Sequence, residues 1–448
     1  MSSDYAAPPH AAAPDDAPAG APTAAPPPPA GSALQLRPRG SNQMGLRQYN
    51  ERVLLQAIRL HGELPKADLA RLTHLSTQTV SLIINRLLED GLLIKREPVR
   101  GRIGQPSVPI ALNPDGAFSI GVKIARRSLD VLLIDFTGQV RARASLSYEF
   151  PDPLTLFDEL ARLLAQVSTP LGELQDRITG LGVAAPLSLG GWQSLLGVPS
   201  DQARRWDEID LGARLRELTP LPVHVVKDTA AACVAELVAG RGRSLRSYLY
   251  LFMDTFVGGG LVIDSHLYGG ERGNAGAVGS MPLLNAALGA PTTTGTGAGP
   301  TAPDQVLSAA ALLALERRYA AAGLPVDAAN DARALEPPWN VHTRDWLKGA
   351  AQAMALAIVN SACLLDLGEV IVDGVFSRDL QSRLIAEIDN ALDTHSWEGV
   401  TRPAVLSGTI GADARALGGA LLPLYATFAP DPEVFLKGAP AGGGRYAG

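Results

Sequence analysis

The chain has 448 residues, is 46% hydrophobic and 19% charged, and carries a net charge of -6. That is long enough for a small module plus a large domain with its own core, and too acidic for a protein that coats nucleic acid along its whole length. Two cysteines exclude a disulfide framework. The charge is uneven, however: Leu46 to Ser107 holds ten Lys/Arg against six Asp/Glu, a balance of +4, which leaves -10 for the rest. A basic head on an acidic body fits a local contact with a polyanion.

Residues 1–43 are an Ala/Pro tract with almost no large apolar side chain, and are expected to be disordered. Residues 44–112 read as a winged helix-turn-helix. Leu46 to His61 is an amphipathic helix with Leu46, Val53, Leu54, Ala57 and Ile58 toward one side. Lys66 to Leu72 is a second, short helix by the spacing of Ala67, Ala70 and Leu72, and a break follows at Thr73 to Leu75. Ser76 then caps a third helix in which Val80, Ile84, Leu87 and Leu88 should face inward. Thr77, Gln78, Thr79, Ser81, Asn85 and Arg86 are left outward. A small, polar, uncharged first turn suits base edges in a major groove, with Arg86 placed for a phosphate. An ordinary helical hairpin with a solvated face gives the same pattern.

What favours a DNA reader is the next stretch, Leu92 to Leu112, which reads as strand, glycine-rich turn, strand. Lys95, Arg96, Arg100 and Arg102 stand there against one acid, Glu97. The tip Arg100 to Pro106, RGRIGQP, includes Gln105 and can lie along phosphates or enter a narrow minor groove. Double-stranded DNA is therefore the expected partner; a winged module that contacts protein is the rival.

The turn NPDG at Asn113 to Gly116 marks a boundary, with a large domain over 117–430 and a C-terminal tail over 431–448. Strand-turn-strand units begin at Phe118 and again at Ser247, each followed by helices, which suggests a duplicated two-lobed α/β domain with a cleft between the lobes. Cys233 and Cys363 both sit in Ala/Leu-rich helical surroundings, so buried reduced thiols and a cytoplasmic location are expected. The most apolar helix, near Met354 to Leu365, is interrupted by Asn360 and Ser361, and no membrane association is expected.

The order of these segments resembles the ROK family of bacterial repressors and sugar kinases over about Leu46 to Ala429. The stretches that carry it are the winged module with RGRIGQP, GLGVAAP from Gly180, KDTAAACVAE from Lys227, VGGGLVIDSHLYGG from Val257 and GNAGAVGSM from Gly273. The resemblance implies an actin-like, sugar-kinase-type fold and, with a DNA module attached, a repressor whose large domain senses a sugar.

Departures from the family's pattern bear on catalysis. Lys123 stands where active kinases carry an acid, and Arg126 and Arg127 would fill the space that glycines leave for phosphates. Asp254 and Phe256 precede the triple glycine, where a carboxylate and a ring would repel and obstruct a triphosphate. Asp228 matches the family's base, or it simply caps the following helix. Ala277 and Ser280 replace the family's sugar-gripping Glu and His, and the zinc-holding cysteines are absent from the stretch after Met281. The expectation is a regulator with no catalytic residues, no metal and no cofactor, its effector site built from Asp228, Asn274, Gly279 and Ser280. The alternative is an ATP-dependent sugar kinase fused to a DNA module. Reading two half-sites calls for a homodimer or homotetramer.

Overall fold

The computed structural model describes residues 43–98, 107–189, 196–197, 200–283 and 305–430. The head begins with α1 (Gln43–His61), β1 (Glu63–Pro65), α2 (Lys66–Thr73) and α3 (Thr77–Glu89), and ends with β2 (Leu93–Lys95) and β3 (Pro109–Leu112). Leu54, Leu55 and Ile58 form the buried side of α1, whereas Leu46, expected among them, is exposed because the packed part of the helix starts two turns later. In α2 the spacing is right only for Ala70, which packs on the core: Leu69 is the buried residue, while Ala67 and Leu72 face solvent. Helix α3 buries Val80, Ile83, Ile84 and Leu87 against the other two. Its first turn is secured by Ser76, whose Oγ accepts from the Thr79 N–H at 3.1 Å, a cap worth about 1 kcal/mol.

The head's sheet has the order β1-β3-β2, all antiparallel, with Glu63 opposite Ala111 and Leu93 opposite Leu112. Strand β1 is not foreseen from sequence, since three residues are too few to show alternation. The turn between the head and the body is tied by Asn113, which donates to the Gly91 carbonyl at 2.7 Å and accepts from the Asp115 N–H.

The first lobe comprises β4 (Phe118–Ile124), β5 (Ser128–Asp135), β6 (Val140–Ser147), α4 (Pro153–Ser168), β7 (Ile178–Ala185), α5 (Ser200–Asp207), α6 (Leu211–Leu218), β8 (Val223–Lys227) and α7 (Asp228–Ala239). The second comprises β9 (Tyr248–Met253), β10 (Val257–Ile263), β11 (His266–Tyr268), α8 (Val306–Ala310), α9 (Leu312–Ala321), α10 (Asn340–Leu365), β12 (Glu369–Gly374), α11 (Arg378–Leu392) and β13 (Ala404–Ser407). The chain then returns to the first lobe as α12 (Ala414–Phe428). The sheet orders are β6-β5-β4-β7-β8 and β11-β10-β9-β12-β13. In each, an antiparallel meander of three strands is extended by two parallel ones. The duplicated two-lobed reading is thus what the sheets display.

Helix α12 lies directly on the first sheet because three glycines let it. A Cβ on Gly121 would meet the Ala416 carbonyl oxygen at 1.9 Å, one on Gly182 the Gly419 carbonyl at 1.8 Å, and one on Gly418 the Ala231 carbonyl of α7 at 1.7 Å. Helix α10 starts five residues before the expected Asp345 and runs 26 residues. It is long and apolar enough to cross a membrane by length and composition, yet 56% of its apolar window is buried in this protein, with Trp346, Met354 and Ile358 in the second lobe's core. Cys233 is buried as expected, but Cys363 is exposed, since it falls on the outer side of this helix.

Head and body share packing. Arg59 of α1 donates to the Phe136 carbonyl at 3.0 Å and lies over the rings of Phe136 and Tyr425, 5.0 and 5.7 Å from their centroids. Tyr425 and Phe428 sit on α12, and Phe428 packs against Phe136 at 4.7 Å between centroids.

Candidate functional site

Two surfaces carry the expected residues: the outer face of α3 and the cleft between the lobes. On α3, Thr77, Gln78, Asn85 and Arg86 are exposed. Thr79 and Ser81 are partly covered, and the Thr79 hydroxyl is 2.8 Å from Ser76 Oγ, so it serves the cap as much as the surface. Leu82 is 67% exposed one turn beyond Gln78 and on the same face. Sequence reasoning assigned Leu82 to neither face, although it falls outside the inward spacing of Val80, Ile84 and Leu87.

The charged members of this face already hold internal partners. Arg86 contacts Glu51 at 3.3 Å and Asp90 at 3.7 Å, and Arg96 lies 3.7 Å from Glu63. The Asn85 carbonyl oxygen accepts from Lys66 Nζ at 2.9 Å, linking α3 to the start of α2. All are solvent-exposed contacts of the kind worth well under 1 kcal/mol, weak enough to be exchanged for phosphates. Arg100, Arg102 and Gln105 lie outside the described residues.

The cleft holds a cavity of about 280 Å³ lined from both lobes. Asp228 from the first lobe and Asn274, Gly279 and Ser280 from one short stretch after β11 all line it. Gly279 is there by necessity, since a Cβ would sit 2.2 Å from the Val257 carbonyl. Asp228 opens α7, with Lys227 as the capping residue before it. Its Oδ1 accepts from the Thr229 N–H at 2.7 Å, and its Oδ2 is 3.8 Å from Arg415. The capping and the ligand-facing roles are therefore compatible in geometry.

Arg415, in the first turn of α12, is the residue that sequence reasoning did not find. Its side chain is 5% exposed; it forms a close ion pair with Asp254 and stacks over Phe252 at 5.2 Å. Burial works against its charge, but Asp254 and Asp228 outweigh that and hold the guanidinium firmly protonated. Burial likewise pushes the Asp254 carboxyl up, and Arg415 and Lys123 more than reverse it, so the acid stays below the ordinary carboxylate range. Asp254 lines the cleft together with Phe256, but as half of an ion pair in which Arg415 offsets its charge. A lone arginine in the run ADARALGGALL was the available signal.

Lys123 is buried and paired with Asp130 across the β4–β5 ladder. Arg126 stacks on the Phe256 ring at 4.5 Å and lines the cavity. Arg127, expected beside it, turns away to Glu316 of α9 at 2.6 Å, because the two side chains leave the turn after β4 in opposite directions. One arginine, not two, occupies the space.

A head of three helices and a three-stranded wing, followed by twin α/β lobes around a cleft, defines a winged-helix protein with a sugar-kinase-like body. The ROK family profile matches residues 119–424 and a MarR family profile residues 48–103. The chain belongs to the ROK family. It is 23% identical to the xylose repressor of Bacillus subtilis (strain 168) over 243 residues, 54% of this chain and 62% of that protein, so less than two thirds of the relative is spanned. Among solved structures, a ROK family transcriptional regulator described as a homologue of the Escherichia coli Mlc protein superposes with a TM-score of 0.63 at 19% identity, covering 86% of this chain and 97% of that one. A ROK family glucokinase from Streptomyces griseus, solved with glucose and AMPPNP, superposes with a TM-score of 0.54 at 19% identity over 68% of this chain and 99% of that one. These two likenesses concern the fold.

Proposed function

We propose that this protein is a DNA-binding transcriptional regulator, acting as a repressor, whose two-lobed domain holds a small effector and pairs the heads instead of transferring phosphate. The observation that carries the reading is the exposed face of α3, with Gln78, Leu82 and Asn85 on a capped helix beside a three-stranded wing. Gln and Asn can address adenine, and an exposed leucine a thymine methyl. The names of the xylose repressor and of the ROK regulator structure point the same way.

Against turnover stand the contents of the cleft. Phosphoryl transfer needs room and donors for a triphosphate and its metal. Here Lys123 is tied to Asp130, Asp254 to Arg415, and Arg126 is stacked on Phe256. Asp228 keeps the position of a base, and that observation alone favours a sugar kinase as the second reading. The effector would act by favouring an arrangement of the lobes that misplaces two heads in a homodimer or homotetramer. A cytoplasmic location follows from a DNA partner.

Selection of bound sites from a random duplex pool, followed by titration at several salt concentrations, tests the regulator. A preferred sequence with salt-dependent affinity is expected. Indifference to every duplex at low ionic strength, together with ATP consumption on a sugar panel that Asp228→Asn abolishes, would establish the kinase instead.

A further inference from the structure

The charges lining the interlobe cavity do not balance. Among the described residues, Arg126, Lys227 and Arg415 stand against Asp228 and Asp254, three cations to two carboxylates. Arg415 accounts for Asp254 by direct contact and lies 3.8 Å from Asp228. Neither Arg126 nor Lys227 comes within salt-bridge distance of a carboxylate among the described residues. Lys227 Nζ reaches only the carbonyls of Ala275 and Gly259, at 3.3 and 3.5 Å. The Arg126 Nε is buried with no hydrogen-bond acceptor, and one of its terminal nitrogens has only a long 3.4 Å contact to the Ser188 carbonyl. Burial lowers the proton affinity of both groups, and nearby Asp228 offsets this only in part. A buried guanidinium nitrogen without an acceptor is costly unless something fills the role.

The rest of the described lining is uncharged. Asn274 and Ser280 offer neutral donors and acceptors, and Asp228 Oδ2, 3.8 Å from Arg415, can also accept from a ligand hydroxyl at one edge. We infer that the cleft takes a small hydroxylated monocarboxylate, a sugar-acid-like molecule, with its carboxylate toward Arg126 or Lys227 and its hydroxyls on Asp228 and Asn274. One negative charge restores neutrality to the lining. A phosphate ester, carrying close to two, would overshoot and meet Asp228 and Asp254 at short range. About 280 Å³ suits a single pyranose-sized ligand. The inference rests on the effector-binding reading above and names the class of effector.

Calorimetric titration of the full chain with D-gluconate, D-glucuronate and D-galacturonate tests it, with D-glucose and D-galactose as neutral parents and D-glucose 6-phosphate as the dianion. At least one acid should bind ten-fold or more tightly than its neutral parent, weaken with added NaCl, and lose ten-fold or more in Arg126→Gln or Lys227→Gln. Each variant is first matched to the parent by thermal unfolding. The inference is overturned if a neutral sugar or the phosphate binds as well as the acids, if none of the six binds, or if acid binding is indifferent to both substitutions. Duplex selection without ligand separates the two readings: DNA binding without acid binding removes only this inference, and acid binding without DNA binding removes only the regulator.

Discussion

Replacing Arg415 with Met keeps the length of the side chain and removes the charge that two acids share. Asp254, whose side chain is 23% exposed at the cleft, would be left with its direct partner gone and Lys123 committed to Asp130. Breaking a fully buried pair from one side costs about 3–5 kcal/mol, and the partial exposure of Asp254 brings the cost here to the lower end, about 3 kcal/mol. At about 2 °C per kcal/mol for a domain of this size, Tm should fall by about 6 °C. The pH dependence identifies the cause. In the parent, Asp254 is held below its ordinary value, so its contribution is present above the unfolded-state pKa near 4 and is lost only as pH falls through the lower folded value. In Arg415→Met, burial dominates and raises the folded value. The carboxyl then takes up a proton on mild acidification, and the deficit should be largest at pH 8 and shrink toward pH 5. Arg415→Met with Asp254→Asn removes both charges and should recover most of the stability. Thermal unfolding at the two pH values reads this directly. A deficit equal at pH 5 and pH 8, or a double variant no better than the single, would refute the account of the cleft as a neutralised ion pair.

Three other substitutions probe the remaining claims. Gln78→Ala should change which duplex is preferred and cost about 1–3 kcal/mol on the best site with little effect on nonspecific DNA, as measured by competition binding; a weakening shared by all sequences contradicts base reading. Arg100→Ala with Arg102→Ala should weaken binding to every duplex and reduce the slope of log K against log salt by about 0.9 for each phosphate that is no longer neutralised; an unchanged slope places the wing off the DNA. Gly182→Ala puts a methyl into the Gly419 carbonyl at 1.8 Å, and should abolish soluble folded protein or lower Tm by more than about 10 °C; a near-parental melt would mean that α12 does not lie on the sheet.

Much of the fold was legible because it obeys simple periods. The inward positions of α3 recur at three- and four-residue steps, and Ser76 announces the helix start in the residue type itself. The two strand-turn-strand units gave the duplication, since β4–β5 and β9–β10 both alternate around short turns. What was hidden depends on neighbours distant in sequence. Strand β1 exists only because β3 pairs with it. Leu69 rather than Leu72 is buried because α3 packs on that side of a helix too short for its period to decide. The four expected cleft residues do converge, yet their main electrostatic partner, Arg415, arrives from the other end of the domain. Likewise no local pattern says that Arg126 stacks on Phe256 while its neighbour reaches Glu316.

The glycine seam under α12 has a mechanical consequence. With Gly121, Gly182 and Gly418 pressed against carbonyl oxygens, the helix has no clearance to slip along β4, β7 or α7. It can move only as a strut fixed to the first lobe. Arg415 in the cleft and Tyr425 against Arg59 of the head lie ten residues apart on it, about 15 Å. Any motion of the first lobe therefore carries Arg415 and Tyr425 together. The ion pair that joins the two lobes across the cleft thus sits on the same helix that meets the head.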